Sequence, residues 1–99
     1  MSAHSHLEHP GLILREEFMD PLGITPYRLA HRIGVDKSRI YAIIRGHRSI
    51  SAETAARLSR YFGTSEVFWL NLQNRYDLSE IHAQAAEDLR AIEPYSSAA

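Results

Sequence analysis

The sequence predicts an all-α fold of five helices, with an additional, weaker helical pattern near the C-terminus. Apolar residues recur every three or four positions, and no apolar–polar alternation typical of a β-strand extends beyond three residues. Capping residues and glycines separate the apolar stripes. The 99 residues fit one domain, whose limited core makes dimerisation a reasonable supplement.

The first helix is predicted over residues 10–19. Pro10 suits the first helical position, because proline there presets φ and loses no hydrogen bond. Leu14 and Phe18 lie one turn apart and face inward. Pro21 is expected to stop this helix.

The second helix is predicted over residues 26–33, after a turn at 22–24. Thr25 is a favourable N-cap, because its hydroxyl accepts from a free backbone N–H, and Pro26 again occupies the first helical position. The inward stripe consists of Leu29, Ala30 and Ile33.

The third helix is predicted from Lys37 to about Arg45. Gly34 ends the helix before it, because glycine adopts positive φ without a Cβ penalty, and Asp36 caps the third helix. Gly46 ends the third helix in the same way. Its inward stripe consists of Ile40, Ile43 and Ile44.

The remaining helices follow the same rules. Ser51 caps a fourth helix that Gly63 ends, and Thr64 is expected to cap a fifth. A C-terminal helix over 79–91 is the weaker pattern, because its apolar stripe is thin. The apolar residues that define these three helices are Ala55, Leu58 and Phe62; Val67, Phe68, Leu72 and Tyr76; and Ile81, Ala85, Leu89 and Ile92.

Positive charge is concentrated in the middle of the chain. Residues 25–60 carry a net charge of +6, whereas residues 1–24 carry −3 and residues 61–99 carry −4. The overall net charge of −1 therefore conceals a positive face. Such a face fits a partner that bears phosphates.

The second and third helices and their glycine turn form a helix-turn-helix pattern, which points to duplex DNA. With the isoleucine stripe inward, the opposite side of the third helix faces the major groove. The residues predicted to read bases are Lys37, Ser38, Arg39, Tyr41 and Ala42. The residues predicted to contact phosphates are Thr25, Arg28, Arg45, His47 and Arg48.

The alternative is an ordinary helical hairpin with a solvated basic face. Agreement among the caps, the turn and the stripes, together with the segregated charge, favours DNA binding. For Arg57 and Arg60 on the fourth helix, two roles fit the sequence equally well: solvated surface residues or phosphate contacts.

Residues 9–78 resemble the HigA-type antitoxins, which are helix-turn-helix proteins of the Xre family from bacterial toxin–antitoxin operons. The most specific motifs are His9-Pro10-Gly11 and Phe68-Trp69-Leu70-Asn71-Leu72-Gln73. The resemblance implies a lambda-repressor-like helix-turn-helix DNA-binding domain over 9–78. The resemblance does not cover the termini: residues 1–8 are predicted to form a flexible N-terminal arm, and residues 79–99 a C-terminal helix and tail, for which a dimer arm and a disordered tail are the alternatives.

The resemblance implies a homodimer that binds a palindromic operator and represses its own operon. Two recognition helices must meet successive major grooves about 34 Å apart, which independently favours a dimer. Trp69, Leu70 and Tyr76 are the candidate dimer interface, although Trp69 fits an intramolecular core equally well.

The resemblance also implies a second partner, a HigB-type toxin, which is a RelE-like ribonuclease that cleaves mRNA. Such a toxin would be basic, and Glu16, Glu17 and Asp20 offer it complementary charge. The alternative is a stand-alone Xre-family repressor without a toxin partner.

Other function classes have little support in the sequence. His4, His6 and His9 are clustered, but no carboxylate is placed to orient their rings, so no metal is expected. Nucleophile, phosphate-loop and His-Glu-x-x-His motifs are missing, so no enzyme activity, cofactor or small-molecule substrate is expected. The short apolar runs and the lack of cysteine fit a cytoplasmic protein without a membrane partner.

Overall fold

A computed structural model describes residues 7–96, and this part of the chain is helical without strands. The first helix, α1, comprises Pro10–Ile13, a π-helical stretch Leu14–Met19, and Asp20–Leu22. The other helices are α2 (Pro26–Ile33), α3 (Lys37–Ile44), α4 (Ala52–Phe62), α5 (Glu66–Gln84) and α6 (Ala86–Ala91). The predicted all-α fold is confirmed. His4, His6 and most of the predicted N-terminal arm lie outside the described residues.

Pro21 does not stop α1, contrary to the prediction. In the π-helical stretch the Asp20 N–H donates to the carbonyl of Arg15, five residues earlier. This wider turn relieves the clash between the proline ring and the carbonyl four residues before it. The helix ends instead at Gly23, whose φ of 67° is left-handed.

The two helices of the helix-turn-helix have the predicted bounds and caps. The hydroxyl of Thr25 accepts from the Arg28 N–H at 3.1 Å, and a carboxylate oxygen of Asp36 accepts from the Ser38 N–H at 3.0 Å. Between the helices, Gly34 has a φ of 77°, so the chain reverses without strain. The local signals in the sequence were therefore sufficient to predict this unit.

The fifth helix differs from the prediction in its cap and its length. Ser65, not Thr64, caps α5, because its hydroxyl accepts from the Phe68 N–H at 3.0 Å. The helix then continues through the predicted break before residue 79, since residues 76–80 contain neither glycine nor proline. The predicted C-terminal helix is thus divided between the end of α5 and α6.

All five helices α1 to α5 contribute to the core, and Trp69 is its largest fully buried side chain. The Trp69 side chain is 0% exposed, and its indole N–H donates to the hydroxyl of Thr64 at 2.7 Å. The ring of Phe18 packs at 4.9 Å from it. The prediction of Trp69 as a dimer contact is therefore wrong, because no partner chain can reach it. Val67, expected inward, is 59% exposed on the opposite side of α5.

The C-terminal half of α5 projects from the domain together with α6. Gln73 is the last buried residue of α5, and about three further turns follow it. The molecule measures 57 × 33 × 21 Å, so it is elongated. We call residues 74–92 the C-terminal arm. Its exposed large apolar side chains are Leu78, Ile81, Leu89 and Ile92.

Candidate nucleic-acid interface

Helix α3 presents a polar side to solvent because its apolar side is fixed in the core. Ile40 and Ile43 are fully buried, whereas Lys37 and Ser38 in the first turn are exposed. Tyr41 and Ala42, one turn later, are partly buried. Four of the five residues predicted to read bases therefore lie together on a surface that a groove could accept.

Arg39 is the exception among the predicted base-reading residues. Its side chain is only 21% exposed, and its guanidinium lies 3.5 Å from a carboxylate oxygen of Glu53 and 3.3 Å from the hydroxyl of Thr54. Both partners are in the first turn of α4. The structure thus assigns Arg39 to the contact between α3 and α4 instead of to a base edge.

The first turn of α3 is held in shape by Asp36. Both the backbone N–H and the hydroxyl of Ser38 donate to its carboxylate. The hydroxyl hydrogen bond from Ser38, followed by the backbone bond, lowers the pKa of the Asp36 carboxyl below its usual value. With its proton turned to Asp36, the Ser38 hydroxyl offers lone pairs to a donor on a base.

The residues predicted to contact phosphates surround the exposed side of α3. Arg45, His47 and Arg48 are exposed at the end of α3 and in the loop after it, and Thr25 and Arg28 are exposed at the start of α2. Two aromatic rings support cations here: the Lys37 Nζ lies 5.9 Å from the Tyr27 ring centroid, and the Arg45 guanidinium lies 5.3 Å from that of Tyr41. Both charged groups therefore remain at the surface, where duplex DNA can contact them.

A carboxylate that sequence reasoning missed connects the two helices of the helix-turn-helix to α4. Glu53 pairs with Arg39 of α3 and, at 3.1 Å, with Arg57 one turn along α4. The Arg57 guanidinium also donates to the carbonyl of Ile33, the last residue of α2, at 2.8 Å. We call these residues the Glu53 network. The i, i+4 spacing of Glu53 and Arg57 was the only sequence signal for it.

A second missed residue, Gln73, supports the loop that carries His47 and Arg48. Gln73 is only 4% exposed, and its side-chain oxygen accepts from the backbone N–H of Ile50 at 2.8 Å. Its side-chain nitrogen donates to Asp77 at 3.0 Å. A glutamine inside an apolar helical string was the available signal, since a buried amide requires partners.

His9 connects the start of α1 to α5. Its Nδ1 accepts from the Gly11 N–H at 2.9 Å, and its ring packs edge-on against Tyr76 with centroids 4.9 Å apart. Burial lowers the pKa of His9 below its usual value, while the nearby Asp77 carboxylate opposes that shift. The neutral imidazole is thus the form that fits the fold.

The remaining predicted sites lie on other surfaces. Glu16, Glu17 and Asp20 are exposed on α1, where the Arg15 guanidinium lies 3.9 Å from Glu16. Leu70 and Tyr76 are partly buried on α5. Within residues 7–96, no three histidine or carboxylate side chains are grouped closely enough to hold a metal ion. None of the described helices is long and apolar enough to cross a membrane.

Comparison with known proteins relates the whole domain to one family. The family model described as "Helix-turn-helix" matches residues 14–69. Virulence-associated protein I of Dichelobacter nodosus is 45% identical over 90% of this chain and 82% of its own length. Antitoxin HigA-1 of Vibrio cholerae is 32% identical over 85% of this chain and 79% of its own.

A solved structure extends this similarity to three dimensions. The structure of the Pseudomonas aeruginosa antitoxin HigA with the higBA promoter superposes with a TM-score of 0.85 and 42% identity. The match covers 90% of this chain and 98% of that one. The similarity therefore includes the helix-turn-helix, the loop after it and most of α5.

Proposed function

We propose a function for this chain from the premise that it belongs to the helix-turn-helix family and, within that family, to the HigA-type antitoxins. It binds operator DNA and represses transcription of its own operon. The observation that carries the proposal is the exposed polar side of α3, flanked by cations, in a chain similar to an antitoxin solved with its promoter. This is a binding role, so we propose no enzyme activity, and operator DNA implies a cytoplasmic protein.

The contacts divide into two classes. Lys37, Ser38, Tyr41 and Ala42 contact base edges in the major groove, where a lysine donates to guanine and an alanine methyl packs on thymine. Thr25, Arg28, Arg45, His47 and Arg48 contact phosphates and set the register of the protein on the duplex. The Thr25 hydroxyl caps α2 by accepting from Arg28, so its hydrogen stays free to donate to a phosphate oxygen.

The chain acts as a homodimer on a palindromic site. Support comes from the C-terminal arm, whose exposed Leu78 and Ile81 continue the side of α5 that carries Leu70, whereas Tyr76 packs against His9 on another side of the helix. A helix that leaves such residues uncovered in a small domain gains stability by packing against a second copy. We therefore replace Trp69 with Leu78 and Ile81 in the dimer interface.

The chain also neutralises a HigB-type, RelE-like toxin. The exposed carboxylates of Glu16, Glu17 and Asp20 on α1 support this second role, because they offer negative charge to a basic partner. They lie on a helix that takes no part in the helix-turn-helix. DNA and toxin can then occupy separate surfaces.

Two experiments test the proposal. Footprinting on the DNA upstream of the chain's own gene should reveal a protected palindrome, and no protection even at low ionic strength would refute DNA binding. Co-purification with the product of the adjacent gene should yield a stable complex that Glu16→Lys/Glu17→Lys disrupts. Without such a complex, the chain is a stand-alone repressor.

A further inference from the structure

A groove between α2 and α4 is not explained by any of the roles above. Its volume is about 620 Å³, within the range typical of ligand-binding pockets. It is lined mainly by Arg32, Ile33, Glu53, Arg57, Arg60 and Tyr61. We propose that this groove binds an acidic segment of a partner protein, and that this binding weakens the hold of α4 on the helix-turn-helix.

The charges around the groove are unbalanced. Three guanidinium groups, those of Arg32, Arg57 and Arg60, line it together with a single carboxylate. That carboxylate, Glu53, is already paired with Arg57 and with Arg39 of α3. Within residues 7–96, neither Arg32 nor Arg60 has a carboxylate partner. The groove therefore attracts an anionic occupant.

The positive surface continues along α2. A smaller adjoining cavity of about 350 Å³ shares Arg32 and Tyr61 with the groove and adds Arg28. Arg28 and Arg32 are four residues apart, so they lie on the same side of α2. An extended segment that carries several carboxylates can thus meet successive guanidiniums, each of which binds a carboxylate through two parallel hydrogen bonds.

The shape and the direction of the groove favour a protein segment over DNA. Ile33, Ala56 and the 40% exposed ring of Tyr61 give the groove an apolar floor, which suits the methylene groups of glutamate side chains. A duplex backbone is convex and presents its charged phosphates outermost, so it would not fill such a floor. Moreover, Tyr27, which contacts Lys37 of the recognition helix, faces about 140° away from Arg32 around α2, so the groove and the base-reading side point in different directions.

Occupation of the groove bears directly on the Glu53 network. The Arg57 guanidinium donates to the Ile33 carbonyl at 2.8 Å and so satisfies the C-terminus of α2. A partner carboxylate that binds Arg57 competes with Glu53 and with this carbonyl. Both helices of the helix-turn-helix then lose contacts with α4. This consequence rests on the proposed function, since it predicts that the acidic segment lowers operator affinity and, reciprocally, that the operator lowers affinity for the segment.

The binding test uses a hexaglutamate peptide as the probe and the full chain. Isothermal titration should give an affinity that falls about tenfold or more in the Arg32→Gln/Arg60→Gln variant. The matched control Arg75→Gln/Arg90→Gln removes the same charge elsewhere and should change affinity by less than about twofold. Lys37→Gln/Arg48→Gln should also retain the peptide, because these residues lie on the DNA side. Equal losses in all three variants would overturn the proposal.

Operator titrations then test the coupling. Operator affinity without peptide is measured first, and its absence would refute the proposed function while leaving the peptide result intact. With peptide, operator affinity should fall several-fold in the natural chain but not in Arg32→Gln/Arg60→Gln. If Arg32→Gln/Arg60→Gln lowers operator affinity in the absence of peptide and flattens the salt dependence of that affinity, the groove is a DNA contact. If inorganic phosphate at equal ionic strength displaces the peptide completely, the groove is a small-anion site. Either result would overturn the proposal.

Discussion

At the scale of single residues, Gly11 allows α1 to lie directly on α3. A Cβ at this position would overlap the carbonyl of Ile43, which is backbone and cannot rotate away. Gly11→Ala should therefore lower the free energy of unfolding by about 1–3 kcal/mol, as overpacking does, and urea denaturation measures it. The control is Gly23→Ala, where only positive φ is penalised and no atom lies within 4 Å. An equal loss in both variants would contradict a close approach.

Lys37 and Arg48 separate base recognition from phosphate binding. Lys37→Ala should change the relative affinity for operator and mutated operator by about 1–3 kcal/mol, because a base contact is lost. Arg48→Ala should weaken all sequences alike and reduce the slope of affinity against salt by about one unit. Titrations on both DNAs at several salt concentrations measure these effects. A uniform loss with Lys37→Ala would remove it from the base-reading set.

His9 makes stability depend on pH near neutrality. Burial lowers its pKa below the usual 6.5, so its stabilisation is complete above that value and is lost as pH falls through the lowered value. A protonated Nδ1 can no longer accept from Gly11, which breaks the cap of α1. The urea concentration at the unfolding midpoint should fall less between pH 7.5 and pH 5 in His9→Asn than in the natural chain. The asparagine side chain still caps α1 but does not titrate in this range. An unchanged pH dependence would refute this role.

At the scale of secondary-structure elements, the sequence was informative wherever the signal is local. Thr25, Gly34, Asp36 and Ser51 predicted the bounds of α2, α3 and α4, because caps and left-handed glycines act within one turn. The length of α1 was missed because a π-helical stretch accommodates Pro21, and periodicity does not reveal such a stretch.

The candidate site was likewise predictable only where its residues follow a local sequence pattern. The exposed side of α3 follows from its isoleucine stripe. The contacts of Arg39, Glu53 and Gln73 do not follow from any local pattern, because each of them joins elements that are distant in sequence. A local pattern shows that such a side chain is polar but not which partner the tertiary fold brings to it.

The Glu53 network gives α4 a role in orienting the helix-turn-helix. Glu53→Gln should lower the free energy of unfolding by no more than about 1 kcal/mol, because the Glu53 side chain is 58% exposed. It should lower affinity for the operator more than for unrelated DNA, because α3 loses its brace through Arg39. Glu66→Gln is the matched control, since Glu66 is likewise exposed in the first turn of a helix. Equal operator affinity in both variants would show that Glu53 orients nothing.

At the scale of the whole molecule, the proposed dimerisation is expected to depend on the C-terminal arm, because this arm projects from the elongated domain. Leu78→Ser/Ile81→Ser should shift the sedimentation coefficient toward that of a monomer. It should also lower affinity for the palindromic operator by about a hundredfold, because the two half-sites are no longer bound by one linked pair of domains. Leu22→Ser removes an exposed apolar side chain from the end of α1, outside the proposed interface, and should change neither quantity. A double variant that stays dimeric would exclude this arm as the interface.

The backbone amide of Ile50 belongs to a surface loop, yet its acceptor is a buried side chain on α5. Its hydrogen can exchange with solvent only when Gln73 withdraws, so its exchange rate follows the opening of α5 and not the motion of the loop. In deuterated buffer this single amide should retain its proton long after those of Arg48 and Ser49 have exchanged. Slower exchange on adding operator or a second copy of the chain would then reveal which partner tightens the junction between α5 and the DNA-binding loop.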